Sequence, residues 1–188
     1  MRALIIYESV FGNTHTVAEA IAEGLRTAGE ATLVPAADAE GSLLASVDVD
    51  LLIIGGPTHG HGLPALYTRK PEPRTAASAY GLPQAAPGAS EESDLRSVLD
   101  ALPVGSHVEP QGIAVKHQVA AAAFDTRRSG PVLFTGRTSR AIAKRLRQRG
   151  YASAARPASF LVDGQDQLLA GEIDRAVQWG KSLAAHGS

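Results

Sequence analysis

Leu4-Ile5-Ile6-Tyr7-Glu8-Ser9-Val10-Phe11-Gly12-Asn13-Thr14 runs a buried-strand pattern into a short polar loop and on into an amphipathic segment. A strand that feeds a helix through such a loop makes a pocket for an anion. The first N–H groups of a helix lack intrahelical partners and carry the positive end of its dipole, so an anion there gains hydrogen bonds and Coulomb attraction together. Ser9 and Thr14 add hydroxyl donors, Gly12 lets the backbone close around a ligand, and Asn13 tolerates unusual dihedrals or caps the helix. Capping alone also uses these residue types. The loop has no lysine and no G-x-x-x-x-G-K-[ST] arrangement, which argues against a nucleoside-triphosphate loop, and the G-x-G-x-x-G dinucleotide pattern is absent.

Outward from this stretch, strand and helix periods alternate, the pattern of an α/β fold with a parallel sheet. Residues 2–7 read as the first strand. From about Thr14 to Ala28, Val17, Ile21 and Leu25 form a stripe widened by Ala18 and Ala22, with Glu19, Glu23 and Arg26 outside it and Gly29 as the stop. Residues 31–35 read as a second strand and 40–46 as a short helical segment. Leu51-Leu52-Ile53-Ile54, ending in Gly55-Gly56, is a continuous apolar run suited to a central strand covered on both faces.

The chain then changes character. From Gly56 to Ser90 it carries Pro57, Pro64, Pro71, Pro73, Pro83 and Pro87 among small residues, which reads as a long irregular excursion. An insertion of that length inside one domain is a lid, a partner-binding segment or disorder. Residues 91–101 read as a helix with Leu95, Val98, Leu99 and Leu102 on its apolar side. The alanine-rich run Val119–Phe124 reads as the fourth strand, despite the weak strand preference of alanine, because the alternation requires one there. A basic helix over 139–150 should turn Ile142, Ala143 and Leu146 inward and Arg140, Lys144, Arg145, Arg147 and Arg149 outward to solvent. Ser159–Val162 would be the fifth strand, and Gly171–Ala185 a closing helix packing through Ile173, Val177, Trp179 and Leu183.

The 188 residues fit one domain with a core between layers. Hydrophobic residues make up 44% and charged residues 20%, as in soluble globular proteins. There is no cysteine, which excludes disulfides, thiolate metal sites and cysteine nucleophiles. No basic-then-apolar leader pattern opens the sequence, and no apolar run reaches the ~20 residues of a bilayer span, so the expected compartment is the cytoplasm. The formal net charge of -1 argues against a nucleic-acid partner. No G-x-S-x-G hydrolase elbow is present. His59 and His61 have no acidic neighbour in sequence to complete a metal shell.

The stretch Ser9-Val10-Phe11-Gly12-Asn13-Thr14 resembles the [ST]-x-x-G-N-T loop with which flavodoxins and related flavoproteins hold the phosphate of FMN. It departs from that pattern at Phe11, where many members carry a hydroxyl. The resemblance implies a three-layer, doubly wound α/β domain with a five-stranded parallel sheet in the order 2-1-3-4-5. Its ligand would sit at the switch point between the first and third strands. The loop after the third strand, Gly55-Gly56-Pro57-Thr58-His59-Gly60-His61-Gly62, resembles the family's second flavin-contacting loop. Pro57, Thr58, His59 and Gly60 are the implied contacts, with His59 at the aromatic position.

The third implied contact is a loop after the fourth strand, at Asp125, Thr126 and Arg127. Phe124 belongs more naturally to the core, Asp125 is a candidate loop cap, and Arg127 either offsets flavin charge or is solvated. The Phe124–Arg127 stretch, with Ser159–Val162 and Gly171–Trp179, is also similar to a group of actinobacterial-type flavodoxin-domain proteins of unassigned role. The resemblance implies an FMN-binding electron-transfer protein acting with a redox partner protein. Two other readings stay open: an NAD(P)H-dependent quinone or flavin reductase, and a flavodoxin-fold binding module without cofactor. None of the three requires a catalytic acid or base from these residues.

Overall fold

Strand β1 (Arg2–Tyr7) lies between β2 (Glu30–Pro35) and β3 (Leu51–Pro57), parallel to both. The computed structural model describes residues 1–39, 49–58, 95–104, 119–131 and 136–185. Strand β4 (Ala120–Arg128) pairs in parallel with β3, and its other edge carries β5 (Ala152–Ser153) and β6 (Ala158–Val162). The sheet order is β2-β1-β3-β4-β5, with β6 beside β4 as well. This is the expected 2-1-3-4-5 order, with the fifth position divided into two pieces. Between them Ala154–Pro157 shifts the register along β4 by two residues, and Pro157 has no N–H to give the ladder.

The pleat sends alternate side chains to opposite faces, and each face buries its own cluster. Ala3, Ile5, Tyr7, Leu51, Ile53, Ala122 and Phe124 pack beneath helices α1 (Asn13–Leu25) and, toward the chain's end, Glu172–Ala184. Leu4, Ile6, Leu52, Ile54, Ala121 and Ala123 pack beneath α2 (Leu95–Ala101) and α3 (Thr138–Gln148). With the last helix labelled α4, the result is a sheet between two helical layers. The alanine run is a strand because it is enclosed on both faces and both edges, a tertiary setting that overrides its weak β propensity. No helix among the described residues is long and apolar enough to cross a membrane.

Four expectations need correction. First, β4 does not end at Phe124. It continues through Asp125, Thr126, Arg127 and Arg128, so residues expected in a loop lie in the sheet. Likewise Gly56 and Pro57 belong to β3, so the irregular excursion does not begin at Gly56. The segment 40–46 and the rest of the excursion from His59 lie outside the described residues.

Second, α1 stops at Leu25, with the Arg26 N–H bonded to the Ala22 carbonyl, and Gly29 is not its cap. Gly29 is required by close approach instead: a Cβ there would lie 1.9 Å from the Met1 carbonyl oxygen, which accepts the Glu30 N–H. Third, α4 packs through Val177, Trp179 and Leu183 as expected, but Ile173 does not join them and small residues complete the face. Ala176, Gly180, Leu183 and Ala184 are buried, whereas Ile173 is 48% exposed. Gly180 and Gly24 of α1 let the two helices approach until backbone meets backbone. Fourth, the outer arginines of α3 are not all solvated. Arg145 pairs with the Asp100 carboxylate, and Arg149 donates to the Asp100 and Leu102 carbonyls, which fastens α3 to α2.

Candidate functional site

The carboxyl ends of β1 and β3 lie side by side, joined past the last ladder pair by the Glu8 N–H donating to the Gly55 carbonyl at 3.0 Å. The buried Glu8 carboxylate accepts the Leu95 N–H at 3.3 Å and so caps the start of α2. From there the chain turns through Ser9–Gly12 into α1. Gly12 is the N-cap residue, in the left-handed region at φ 89°, and offers no side-chain cap. It is therefore Gly12, and not Asn13, that takes the unusual backbone. A Cβ on Gly12 would meet nothing within 4 Å, so the turn faces open space.

Four helix starts can be compared among the described residues, and three have an acid beside them. The first N–H of α2 goes to Glu8. At α3 the Ser139 N–H donates to Asp125 Oδ2 at 2.7 Å and the Thr138 N–H to Thr58 Oγ1 at 3.1 Å. Helix α4 carries Glu172 and Asp174 in its own first turn. Helix α1 has no acid in its first turn. Ser9 Oγ accepts the His15 N–H at 3.3 Å, which leaves the hydroxyl hydrogen free to donate elsewhere. Among the described residues, nothing accepts the backbone N–H groups of Asn13 and Thr14.

The structure brings three of the expected site residues together. Thr14 Oγ1 and Thr126 Oγ1 lie 2.8 Å apart in a buried hydroxyl pair. The Thr58 N–H donates to the Thr126 carbonyl at 2.8 Å, so the chain leaving β3 continues the ladder with β4. Thr58 Oγ1 then reaches the start of α3. One connected set of hydrogen bonds thus ties the ends of β3 and β4 to the first turns of α1 and α3.

The other expected residues fall differently. Asp125 is fully buried on the α2/α3 face, where its carboxylate caps α3 from the neighbouring strand. Arg127, expected to be solvated or flavin-facing, is 8% exposed, and its guanidinium donates to the Arg128 and Gly130 carbonyls. The Asn13 side chain donates to the Asp166 carbonyl at 2.7 Å. Phe11 stands 45% exposed on the turn, and Ser9 and Val10 are half-buried. Pro57 closes β3 opposite Thr126. His59 and Gly60 lie outside the described residues. Phe124 is core, as expected: it packs edge-on to Phe160 and Trp179.

Two neighbours of the turn had no local signal in the sequence. The Tyr7 and His15 rings stack at 5.1 Å with an interplanar angle of 20°, and His15 Nε2 lies 3.4 Å from Glu19 Oε1. Burial, with Glu19 and Asp38 adding, raises the Tyr7 phenol above its ordinary pKa. Tyr7 read only as a strand end and His15 only as a helix residue. Their meeting depends on the tight turn between them.

Sheet order and an open helix start at the switch point define a doubly wound α/β protein of flavodoxin-like fold. The sequence model of the flavodoxin family matches residues 5–86, which include the Ser9–Thr14 turn and β3. A search of curated protein sequences returned no match. Among solved structures, oxidised flavodoxin 1 from Bacillus cereus is similar with a TM-score of 0.62 at 17% identity, covering 99% of each chain. A flavodoxin from the domain Archaea aligns with a TM-score of 0.61 at 16% identity over 100% of this chain and 99% of its own. Rubredoxin oxygen:oxidoreductase from Desulfovibrio gigas aligns with 98% of this chain through 35% of its own, at TM-score 0.61 and 16% identity.

Proposed function

We propose that the chain binds FMN non-covalently and serves as an electron-transfer flavoprotein. The phosphate would lie on the Ser9–Thr14 turn, and the ring between the chain after β3, at Pro57, Thr58, His59 and Gly60, and the end of β4 at Thr126. The observation that carries this reading is the start of α1: of the four helix starts among the described residues it alone is left without an acid, at the sheet position where the resembled family holds its phosphate. The residues fit the group. The Asn13 and Thr14 N–H groups and the Ser9 hydroxyl are donors with no competing acceptor, and Gly12 leaves their approach clear.

Bound FMN supplies the redox chemistry; the chain's own residues bind, orient and shield it. The turn carries no lysine or arginine, so the phosphate charge is met by N–H groups and the helix dipole. The Thr14–Thr126 pair keeps the turn and β4 at a fixed spacing. Asp125 and Arg127 serve through backbone, since their side chains are engaged on the opposite face of the sheet. Electrons would pass to a redox partner protein or come from NAD(P)H, in the cytoplasm. The closer kinship to actinobacterial-type flavodoxin-domain proteins is part of the same proposal.

An absorbance spectrum of the purified protein before and after adding FMN tests it. Flavin bands that stay with the protein through gel filtration are the expected result. Sustained NADPH oxidation with a quinone would move the reading to a reductase. Colourless protein that takes up no FMN would leave a binding module on the same scaffold.

A further inference from the structure

The phosphate-facing turn is held to the rest of the molecule at an unexpected place. Among the described residues, the Asn13 amide donating to the Asp166 carbonyl at 2.7 Å is the one side-chain hydrogen bond from residues 9–13 to another element. Asp166 is the only described non-glycine residue at positive φ, 56°. A left-handed backbone is disfavoured for most side chains but tolerated by Asp and Asn. Here the surrounding turn enforces it. Asp163 Oδ1 accepts the Gln165 and Gln167 N–H groups at 2.8 and 2.9 Å, and the Asp163 N–H donates to the Gln167 carbonyl at 2.8 Å. Val162 and Leu168 bridge as antiparallel neighbours beyond it. The Arg128 guanidinium lies 3.5 Å from Asp166 Oδ1, which adds a link to the end of β4.

We infer that Asn13 is a positioning residue, whose amide straps the phosphate-facing turn to the Asp163–Leu169 hairpin through the Asp166 carbonyl. The hairpin thereby becomes a third wall of the mononucleotide site, beside the ends of β3 and β4. Asn13 opens α1, and its own N–H is one of the two that face the anion. Anchoring its side chain fixes the direction of that N–H before the ligand arrives, which lowers the ordering cost of binding. The inference rests on the reading that Ser9–Thr14 holds a phosphate, and it concerns the phosphate end of the ligand only.

The test measures dissociation constants for FMN and for riboflavin, which lacks the phosphate, by flavin fluorescence quenching. Folding of every variant is checked by circular dichroism and urea unfolding. Asn13→Ala should lower FMN affinity roughly tenfold, the worth of about one well-made hydrogen bond, and leave riboflavin affinity unchanged. Asp166→Val, whose branched side chain disfavours the left-handed backbone, should reproduce that loss. Asp166→Gly keeps the backbone and the carbonyl and should bind FMN like the wild type. The double variant Asn13→Ala/Asp166→Val should lose no more than either single one.

An unchanged ratio of FMN to riboflavin affinity in both Asn13→Ala and Asp166→Val, whether neither constant moves or both fall together, overturns the strap. Loss in Asp166→Gly would also overturn it, by assigning the effect to the carboxylate. Wild-type protein that binds FMN no more tightly than riboflavin overturns the phosphate reading itself, and the strap with it.

Discussion

The side-chain oxygens of Thr14 and Thr126 lie 2.8 Å apart, joining the first turn of α1 to the end of β4 across 112 residues of sequence. Both residues are buried, at 2% and 5% exposure, so each hydroxyl depends on the other for its hydrogen bond. Replacing one by the isosteric valine strands the remaining hydroxyl. Thr14→Val and Thr126→Val should each cost about 1–3 kcal/mol in urea unfolding, and the double variant should cost clearly less than their sum. Strictly additive losses would mean that the two hydroxyls are satisfied independently.

Gly12 combines a left-handed backbone with open space beyond its Cα. Gly12→Val carries a backbone strain of about 1–2 kcal/mol and places a branched side chain in the open space where the proposed phosphate would lie. FMN affinity should fall further in Gly12→Val than in Thr14→Ala, which removes only a hydroxyl. Gly12→Asn, better suited to positive φ, should retain more of the fold's stability than Gly12→Val. FMN affinity unchanged in Gly12→Val would remove the turn from the site.

Consecutive glycines at the end of β3 face different neighbours, and their replacements should differ accordingly. A Cβ on Gly55 would lie 2.1 Å from the Phe124 ring, which packs edge-on to Phe160 and Trp179 at centroid distances of 6.2 and 6.4 Å. That ring is fully buried, so a shift must displace its aromatic neighbours. On Gly56 the Cβ would lie 2.8 Å from a terminal methyl of Leu95, which can rotate away. Gly55→Ala should therefore cost about 3 kcal/mol and Gly56→Ala about 1 kcal/mol. Equal losses by chemical denaturation would contradict this ranking.

Hydrogen bonds from the Gln167 and Gln165 backbone hold the Asp163 carboxyl below its ordinary pKa of 3.8. A carboxyl depressed in the folded state stabilises it fully above 3.8, and that contribution is lost as pH falls through the lower folded value. The stability difference between wild type and Asp163→Asn should accordingly be constant above pH 3.8 and shrink below it. An NMR titration of the Asp163 side chain checks the direction directly; a midpoint above 3.8 would refute it.

What the sequence disclosed, and what it hid, follows from the range of the interactions involved. Leu4–Tyr7 and Leu51–Ile54 announce central strands because burial on both faces demands continuous apolar runs. The spacing of Val17, Ile21 and Leu25 announces α1 because a helix buries one stripe. The extension of β4 through Asp125 was hidden. A buried carboxylate in a sheet needs a distant donor, and one of its two oxygens finds the Ser139 N–H of the following helix. The inward face of α4 was legible at Val177, Trp179 and Leu183, while its small residues were hidden for the opposite reason. Amphipathic reasoning selects large residues such as Ile173, whereas a close helix crossing selects Gly180 and Ala184. The site divided the same way: the turn motif was local and readable, while its tie from Asn13 to Asp166 spans 153 residues.

That crossing yields the sharpest packing test. A Cβ on Gly24 would lie 2.2 Å from the Val177 carbonyl oxygen, and one on Gly180 would lie 2.3 Å from the Ile21 carbonyl oxygen. Both obstacles are backbone, so no side-chain rotation relieves them. Intrinsic helix propensity pulls the other way, since alanine is favoured over glycine by about 1 kcal/mol inside a helix. The sign of the change therefore separates the two effects. Gly24→Ala and Gly180→Ala should each destabilise the protein by about 2 kcal/mol net, read from urea or thermal unfolding. The double variant should lose less than the sum, because a helix pair moved apart for one methyl already has room for the other. Stabilisation by either substitution would show that α1 and α4 do not meet backbone to backbone.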